Sequence, residues 1–546
     1  MTQETAAAGR PHVLRAISGL IVGMFVALLS STVVSPALPR IVSDLDGDQS
    51  SFTWIVTATM LAMTVSTPIW GKLSDLLDRK LLVQISLGVF TAGSIVSGFA
   101  QDPGMLIASR AVQGIGIGGL MALVQIVVAD VISPRERGRY MGVIGAVMGV
   151  GQVAGPLVGG LVTDSIGWRW TFWIFVPFAV YAIAMIQSTL KLPPRPPRPV
   201  KVDYLGGALI AGGVSAILVW VSLAGKEFAW WSGPTAAMLG GGLVLLAAAV
   251  LVELRAPEPI IPMRLFRDRT FTLAVVASIA VGIAMFGASI YLSQFMQLAR
   301  GATPTEAGLM TLPMVLGQMA GGIVIGQLIS RSGRWKRYLV GGSIALTVAL
   351  VLMSTLHHDT AFALLAVFMF LLGLGMGTVM QNLVLVVQNQ VAARDLGTAS
   401  AGVTFFRTLG GTLGVSALGA MLGNRVPVLL EEGGLRAAAG AVAADPSALT
   451  PAQGAALEQL AAGSFPNMAD LPERIRVIVE TAYGAGIAEQ FLVSVPVAVV
   501  AMVAIMFLPN ARLSRQTAAQ RLAEESAGTP RTPELATATS SSDGPR

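Results

Sequence analysis

Arg110 and Arg407 each lie in a long stretch whose interior holds no other charge. An ionised side chain in so apolar a setting needs polar partners or a wet cavity, which makes it a functional candidate. Gln113 follows Arg110 by about one helical turn. A second group consists of Asp75 and Arg79, four residues apart, and Asp130 at the end of its own apolar run. Together they can form a charge cluster, in which an arginine holds a carboxylate ionised and protonation weakens the lock. A third set is uncharged: Ser30, Gln113, Gln125, Gln294, Gln318, Gln381, Asn382 and Gln388 stand among Phe286, Tyr291, Phe295 and Met314. Amides beside aromatic and thioether groups suit a large lipophilic guest, cationic ones included. A lone glutamine can equally serve to bridge two helices.

Other chemistries fail on context. Gly114-x-Gly116-x-x-Gly119 has the glycine spacing of a dinucleotide fingerprint but no strand before it. Asp44, Asp46 and Asp48 open like a calcium loop, yet the glycine and closing glutamate are absent. The chain has no cysteine, and its three histidines, His12, His357 and His358, fall near segment ends. No zincin helix, nucleophile elbow or phosphate loop occurs. The expectation is therefore no enzyme, no metal and no cofactor.

The elements that must position these groups are membrane helices. Of 546 residues, 54% are hydrophobic and 12% charged, and the mean hydropathy is +0.71. Soluble domains carry about twice that share of charge. Apolar runs of bilayer-spanning length are expected near 16–34, 54–71, 81–100, 105–130, 141–163, 170–190, 204–223, 236–254, 270–297, 308–329, 338–356, 361–390, 397–423 and 486–508. That makes fourteen transmembrane helices. With the N-terminus inside, 26 of the 36 Lys and Arg residues fall on inner segments and eight on outer ones. The positive-inside rule then places both termini in the cytoplasm. The net charge of +6 is explained by topology, with no need for nucleic acid.

Repetition organises the chain. Gly114-Ile115-Gly116-Ile117-Gly118 is matched by Gly373-Leu374-Gly375-Met376-Gly377, 259 residues on. GKLSDLLDRK (71–80) is matched by GQLISRSGR (326–334), and PRERG (134–138) by ARDLG (393–397). Two parallel six-helix bundles follow, 1–190 and 270–510. A linker and two-helix hairpin (191–269) separate them. An outer insertion (424–485) holds short helices expected near 452–462 and 472–482, and a tail (511–546) is expected to be disordered.

Segment five carries GAVMGVGQVAGPLVGG (145–160). Gly151, Gly155 and Gly159 recur every four residues, a face without side chains that another helix can approach closely. Pro156 lacks a backbone donor and bends a helix. Such a helix suits a moving seam between two bundles.

These motifs resemble the major facilitator superfamily, and within it the fourteen-helix drug:proton antiporter branch. Gly71, Asp75, Arg79 and Lys80 are similar to the loop motif after helix two. Arg110, Gln113, Gly114 and Gly118 are similar to the helix-four motif associated with proton coupling. Gly151, Gly155, Pro156, Gly159 and Gly160 are similar to the helix-five antiporter motif. Three positions depart from the pattern: Asp78 stands where the loop motif has glycine, Leu76 where it has a basic residue, and Ser30 where the branch commonly has an acid. The left-handed turn that glycine allows is open to Asp at a cost.

The resemblance implies alternating access and export of lipophilic drugs or toxic compounds, with the proton as coupling ion. A dedicated exporter of one metabolite, antibiotic or lipid is the alternative. The gating and coupling residues would be Asp75, Arg79, Arg110, Gln113 and Asp130. Ser30, Gln125, Phe286, Tyr291, Gln294, Gln318 and Asn382 would line the cavity. The expected setting is the cytoplasmic membrane of a bacterium, with the chain working as a monomer.

Overall fold

In a bilayer each backbone polar group must be satisfied within its own segment, so apolar runs of this length become helices. The computed structural model describes residues 10–46, 49–192, 203–225, 228–443, 450–461, 468–514, 516–517 and 520. The described residues are helical throughout, joined by short turns, with one isolated bridge between Ala224 and Phe228. The first half consists of α1 (Arg10–Asp44), α2 (Gln49–Leu76), α3 (Arg79–Gly98), α4 (Pro103–Val131), α5 (Pro134–Ser165) and α6 (Trp170–Thr189). A hairpin of α7 (Tyr204–Leu223) and α8 (Gly233–Glu253) follows. The second half holds α9 (Arg269–Ala299), α10 (Thr305–Ser332), α11 (Lys336–Met353), α12 (Phe362–Gln390), α13 (Leu396–Glu432) and α14 (Glu473–Met506).

Among the described residues fourteen long helices follow in the expected order, and twelve of them are long and apolar enough to cross a membrane. The other two are α2 and α5. In α2 the apolar pattern is diluted by Thr59, Thr64, Ser66 and Thr67, all buried. Thr59, Thr64 and Thr67 each donate to the carbonyl four residues back, and Ser66 to the carbonyls of Met63 and Ile115.

Each half repeats one packing scheme. In the first, α1 packs on α5, and α4 on both α2 and α3; in the second, α9 packs on α13, and α12 on both α10 and α11. The matched glycines do the same work twice. A Cβ on Gly114 or Gly118 would lie about 2.4–2.5 Å from backbone oxygens of α2, and one on Gly116 equally close to the α3 backbone. Gly373 and Gly377 meet α10 in the same way, and Gly375 meets α11. The glycine triplet is a device for backbone contact, which accounts for its fingerprint-like spacing.

The halves meet along two seams, α2 with α13 and α5 with α10, and the hairpin leans on the first through α7. α10 is not one regular helix. It breaks at Thr311, just before Pro313, and passes through a π-helical turn at Gly321–Ile325, as proline and a wide turn require.

Three expectations change. The segment expected as a short helix at 472–482 is the first part of α14, a continuous helix of 34 residues. α13 likewise runs on to Glu432, so the outer insertion is shorter than 424–485; it holds helices Leu435–Ala443 and Pro451–Ala461. Its apolar residues Ala438, Ala456, Met468 and Leu471 close over Leu298 of α9. The tail does not leave the bundle at residue 511. Trp335 donates to the Ala511 carbonyl (2.6 Å), and Asn389 accepts from the Ser514 N–H (2.9 Å). The Ser514 carbonyl accepts from the Arg135 N–H (3.1 Å), so this strand of tail touches both halves. Most of the remaining tail, and the linker 193–202, lie outside the described residues.

Candidate functional site

The end of the bundle where α1 begins and α14 ends is also where most Lys and Arg residues fall; here it is called the basic face. Its central feature is built from the end of α2. Asp75 reaches across the seam and accepts from the backbone N–H of Gly397 (2.9 Å) and Thr398 (2.8 Å) and from the Thr398 hydroxyl (2.8 Å). These are the first N–H groups of α13, which have no partner within their own helix. A carboxylate there also meets the positive end of the helix dipole. Approach this close depends on glycine: a Cβ on Gly397 would lie 2.4 Å from Asp75 Oδ1, and one on Gly71 only 2.2 Å from the Ala401 Cβ.

Behind Asp75 stands Arg79, whose side chain is 1% exposed. It donates to Asp75 Oδ1 (3.3 Å) and to the Ser74 carbonyl (2.9 Å). Its Nη1 lies 2.5 Å from Asp130 Oδ1, an oblique ion-pair contact that does not meet hydrogen-bond angles. The expected trio of Asp75, Arg79 and Asp130 is therefore assembled, at the seam, with Asp75 as the member that crosses it. Asp78 does not take the left-handed conformation expected from the missing glycine. Its φ is −63°, and it caps α3 by accepting from the Leu81 N–H (2.9 Å).

Sequence reasoning missed a second crossing. Arg137, at the start of α5 and fully buried, donates to Gln388 of α12 and to the carbonyls of Ala129 (3.0 Å) and Ile132 (2.9 Å) at the end of α4. Gln388 in turn donates to the Gln125 carbonyl (3.4 Å) and to Ser400 (2.8 Å). The available signal was the PRERG/ARDLG repeat, which set Arg137 at the matching loop of the first half.

A third connection comes from the loop after the hairpin. Glu253 folds it by accepting from the N–H of Ile260 (3.2 Å) and Ile261 (3.1 Å). The folded loop then pairs Glu258 with Lys72 of α2 (2.5 Å) and Arg264 with Asp395 ahead of α13 (2.6 Å). It straps one half to the other. Beneath it lies a cavity of about 580 Å³ whose lining includes Asp75, Lys72, Glu253, Asp395 and Thr398, so Asp75 borders open space on the basic face.

Deeper in the first half, Arg110 is 3% exposed and donates to Gln113 Oε1 (2.5 Å). Gln113 passes the connection to Ser94 (2.7 Å) and Ser30 (3.1 Å). Ser30, where the resemblance led one to look for an acid, is thus the end of a neutral relay and supplies no counter-charge.

The remaining cavity candidates divide. Tyr291 donates to the Val415 carbonyl (2.5 Å) and is a helix-bridging residue in this arrangement. Phe286 packs against Gly411, where a Cβ would lie 2.3 Å from its ring. Gln125, Gln294, Gln318 and Asn382 share a different property: each has a buried side-chain oxygen with no hydrogen-bond partner. Gln318 and Gln381 come together at the α5–α10–α12 seam, where Gln381 donates to the Met148 thioether (3.4 Å) and Gln318 Oε1 lies near Gly149.

The glycine row of α5 is oriented differently from expectation. Gly155 meets α1: a Cβ would fall 1.9 Å from Thr32 Oγ1, and Thr32 donates to the Gly151 carbonyl (3.1 Å). That contact lies within the first half. The glycine that faces the other half is Gly149, whose Cβ would sit 3.0 Å from Val315 of α10. Gly160 meets nothing within 4 Å, and the side chain of Pro156 lies outside the described residues.

Comparison with known proteins agrees with this architecture. The family model of the Major Facilitator Superfamily matches residues 20–415. An uncharacterised MFS-type transporter of Mycobacterium tuberculosis is 38% identical over 497 residues, covering 91% of this chain and 69% of that one. Multidrug resistance protein 3 of Bacillus subtilis is 30% identical over 516 residues, covering 93% and 98%. Among solved structures, the proton:xylose symporter XylE aligns with a TM-score of 0.59 at 12% identity, over 94% of this chain and 99% of that one.

Proposed function

This chain belongs to the major facilitator superfamily, and we infer its function from that premise together with the contacts of its basic face. We propose that it is a secondary-active exporter of lipophilic compounds, driven by protons, that presents one cavity to each side of the membrane in turn. The basic face is cytoplasmic in this reading, with both termini inside and the chain in the cytoplasmic membrane, as the positive-inside rule argues. Relatives named for multidrug resistance support export of drug-like guests.

The observation that carries the reading is the Asp75 contact. A carboxylate of one half caps a helix of the other, so the two halves are held together by charge at the face where substrate would enter. Asp75 borders a cavity open to that face. For exchange, the proton that neutralises Asp75 must arrive from the outer side while the basic face is closed; it removes the charge that binds Asp75 to the α13 N-terminus and to Arg79, and the seam can part. Discharge of the proton on the inner side restores the lock. Arg110 and Gln113 link the core of the first half to the same helix bundle without supplying an acid. One elementary charge moving inward across 100 mV releases about 2.3 kcal/mol, which sustains roughly a fifty-fold gradient of a neutral guest.

The test is proton movement in energised everted vesicles on addition of candidate guests, for wild type and for Asp75→Asn, Asp130→Asn and Arg110→Ala. Wild type should release protons with guest uptake, and Asp75→Asn should abolish the coupled flux. Full coupled flux in Asp75→Asn would remove this residue from the mechanism; no flux in any vesicle would remove the exporter reading itself.

A further inference from the structure

Arg407 is the buried charge that the gate and the Arg110 relay leave unused. It projects from α13 with 5% of its surface exposed. Among the described residues its one hydrogen bond is a long one, from Nη1 to the Met380 carbonyl of α12 (3.4 Å). Among the described residues it forms no ion pair, whereas buried Arg79 and Lys72 both have carboxylates. No acidic residue lies anywhere in the central part of a membrane segment, so none is available to reach it. A guanidinium in hydrocarbon without a counter-ion is a marker of function.

The two helices that Arg407 and its backbone touch carry buried polar atoms without partners close to the points of contact. α9 touches α13 there, because a Cβ on Gly282 would lie 2.1 Å from the Arg407 carbonyl oxygen. One turn along α9 is Ser278, 1% exposed, whose hydroxyl has no partner, although a helical serine can usually bond to the preceding turn. Next to Met380 on α12 are Gln381 and Asn382, both 2% exposed, each with an unpartnered side-chain oxygen. Gln381 is held through its nitrogen only by a thioether, so its amide can turn over and offer N–H instead. Asn382 cannot, because its nitrogen donates to the Thr378 carbonyl (2.6 Å).

We propose that Arg407, Ser278 and Gln381 form an oxyanion subsite in the second half, and that the guest is a lipophilic carboxylate. This rests on the exporter reading and gives its guest a charge. Arg407 supplies the positive charge, the serine hydroxyl and turned amide supply donors, and the Asn382 oxygen accepts a donor elsewhere on the same guest. The sequence suggested a guest that could be cationic; two core guanidiniums and no core carboxylate favour the opposite sign. Arg110 is the weaker candidate, since its guanidinium is already held at 2.5 Å by Gln113.

The test uses the full chain in lipid nanodiscs and three probes with one lipophilic body: pyrenebutyrate, its methyl ester, and the matching trimethylammonium. Binding is measured by calorimetry, with empty nanodiscs subtracted. The carboxylate should bind at least about tenfold tighter than the other two. Arg407→Gln should bring it down to the ester's affinity while leaving the ester unchanged, and Arg407→Lys should keep part of the preference. If Arg407→Gln does not fold, Ser278→Ala and Gln381→Leu should each weaken the carboxylate alone. Equal binding of the three probes, no binding of any, preference for the ammonium, or indifference of the carboxylate to these substitutions would overturn the assignment. So would displacement of the carboxylate by chloride at matched concentration, which would make the subsite one for an inorganic anion. Failure of the exporter reading is separate: the carboxylate would bind selectively, yet proteoliposomes with an imposed proton gradient would not move it.

Discussion

Removing the Asp75 carboxylate should unlock the basic face. Asp75 caps α13 through two backbone N–H groups and one hydroxyl, with Arg79 behind it. An N-terminal cap is worth about 0.5–2 kcal/mol, and a negative charge at a helix start about 0.3–1 kcal/mol more. Asp75→Ala should therefore lose about 1–3 kcal/mol of seam closure, which corresponds to roughly a 5- to 150-fold shift between conformations. Asp75→Asn keeps one oxygen acceptor but loses the charge, and its shift should be smaller. Spin labels at Leu77 and Ser332, both exposed near the seam on this face, report the opening as a distance distribution. Wild type should show a dominant short distance, and Asp75→Ala a larger fraction at a longer one. Ala401→Gly serves as a control, because it removes only a methyl group at the Gly71 contact. If Asp75→Ala leaves the distribution unchanged, the carboxylate is not what closes the seam.

Four further outcomes follow from the same contacts. Gly71→Leu places side chain where a Cβ already lies 2.2 Å from Ala401, so the labels should show opening. Gly155→Ala should lower thermal stability by about 1–3 kcal/mol, because its Cβ would fall 1.9 Å from Thr32 Oγ1; Thr32→Gly in the same chain should recover most of it. Lys72→Glu should loosen the hairpin strap by more than the roughly 1 kcal/mol of an exposed pair, since Lys72 is only 7% exposed and the new carboxylate would face Glu258, and Glu258→Lys should reverse the change in label distances. A chain ending at Asn510 should open more readily than one ending at Thr517, because it loses the Ser514 contacts with Asn389 and Arg135.

The sequence was most readable where one physical rule decides the outcome. Backbone hydrogen bonding in hydrocarbon makes long apolar runs helical, and the helix order emerged from length alone. The glycine triplets at 114–118 and 373–377 announced a repeat, and the structure uses both for the same backbone contacts. What stayed hidden was direction. Gly149 and Gly151 are two residues apart, about 200° around a helix, so they face opposite sides. The spacing of 151, 155 and 159 identifies a bare face without telling whether α1 or α10 fills it. Asp75 and Gly397 are 322 positions apart, and nothing local to either marks the other as partner. Asp78 misled for a different reason: two residue types can solve one loop, glycine by a left-handed turn and aspartate by capping the next helix.

The placement of charge bears on where coupling can occur. An exporter driven by protons needs a group that changes charge as the cavity turns. In this chain the membrane core offers two guanidiniums, Arg110 and Arg407, and arginine does not release its proton. The carboxylates that touch a seam are at the basic face: Asp75 on Gly397 and Thr398, with Asp130 behind Arg79 and Asp395 under the strap. On the proposed reading, proton exchange belongs to the lock and not to the pocket, and guest and proton meet only through the opening of the halves. A pump built this way has a guest site whose charge stays fixed through the cycle. Changing Arg407 should alter which compounds are carried while leaving the pH dependence of transport in place. Changing Asp75 should do the reverse. Measured pH profiles of downhill guest flux, which does not need coupling, decide it for Arg407→Gln and Asp75→Asn: a shifted profile in the first, or a changed guest preference with an intact profile in the second, would place coupling in the pocket after all.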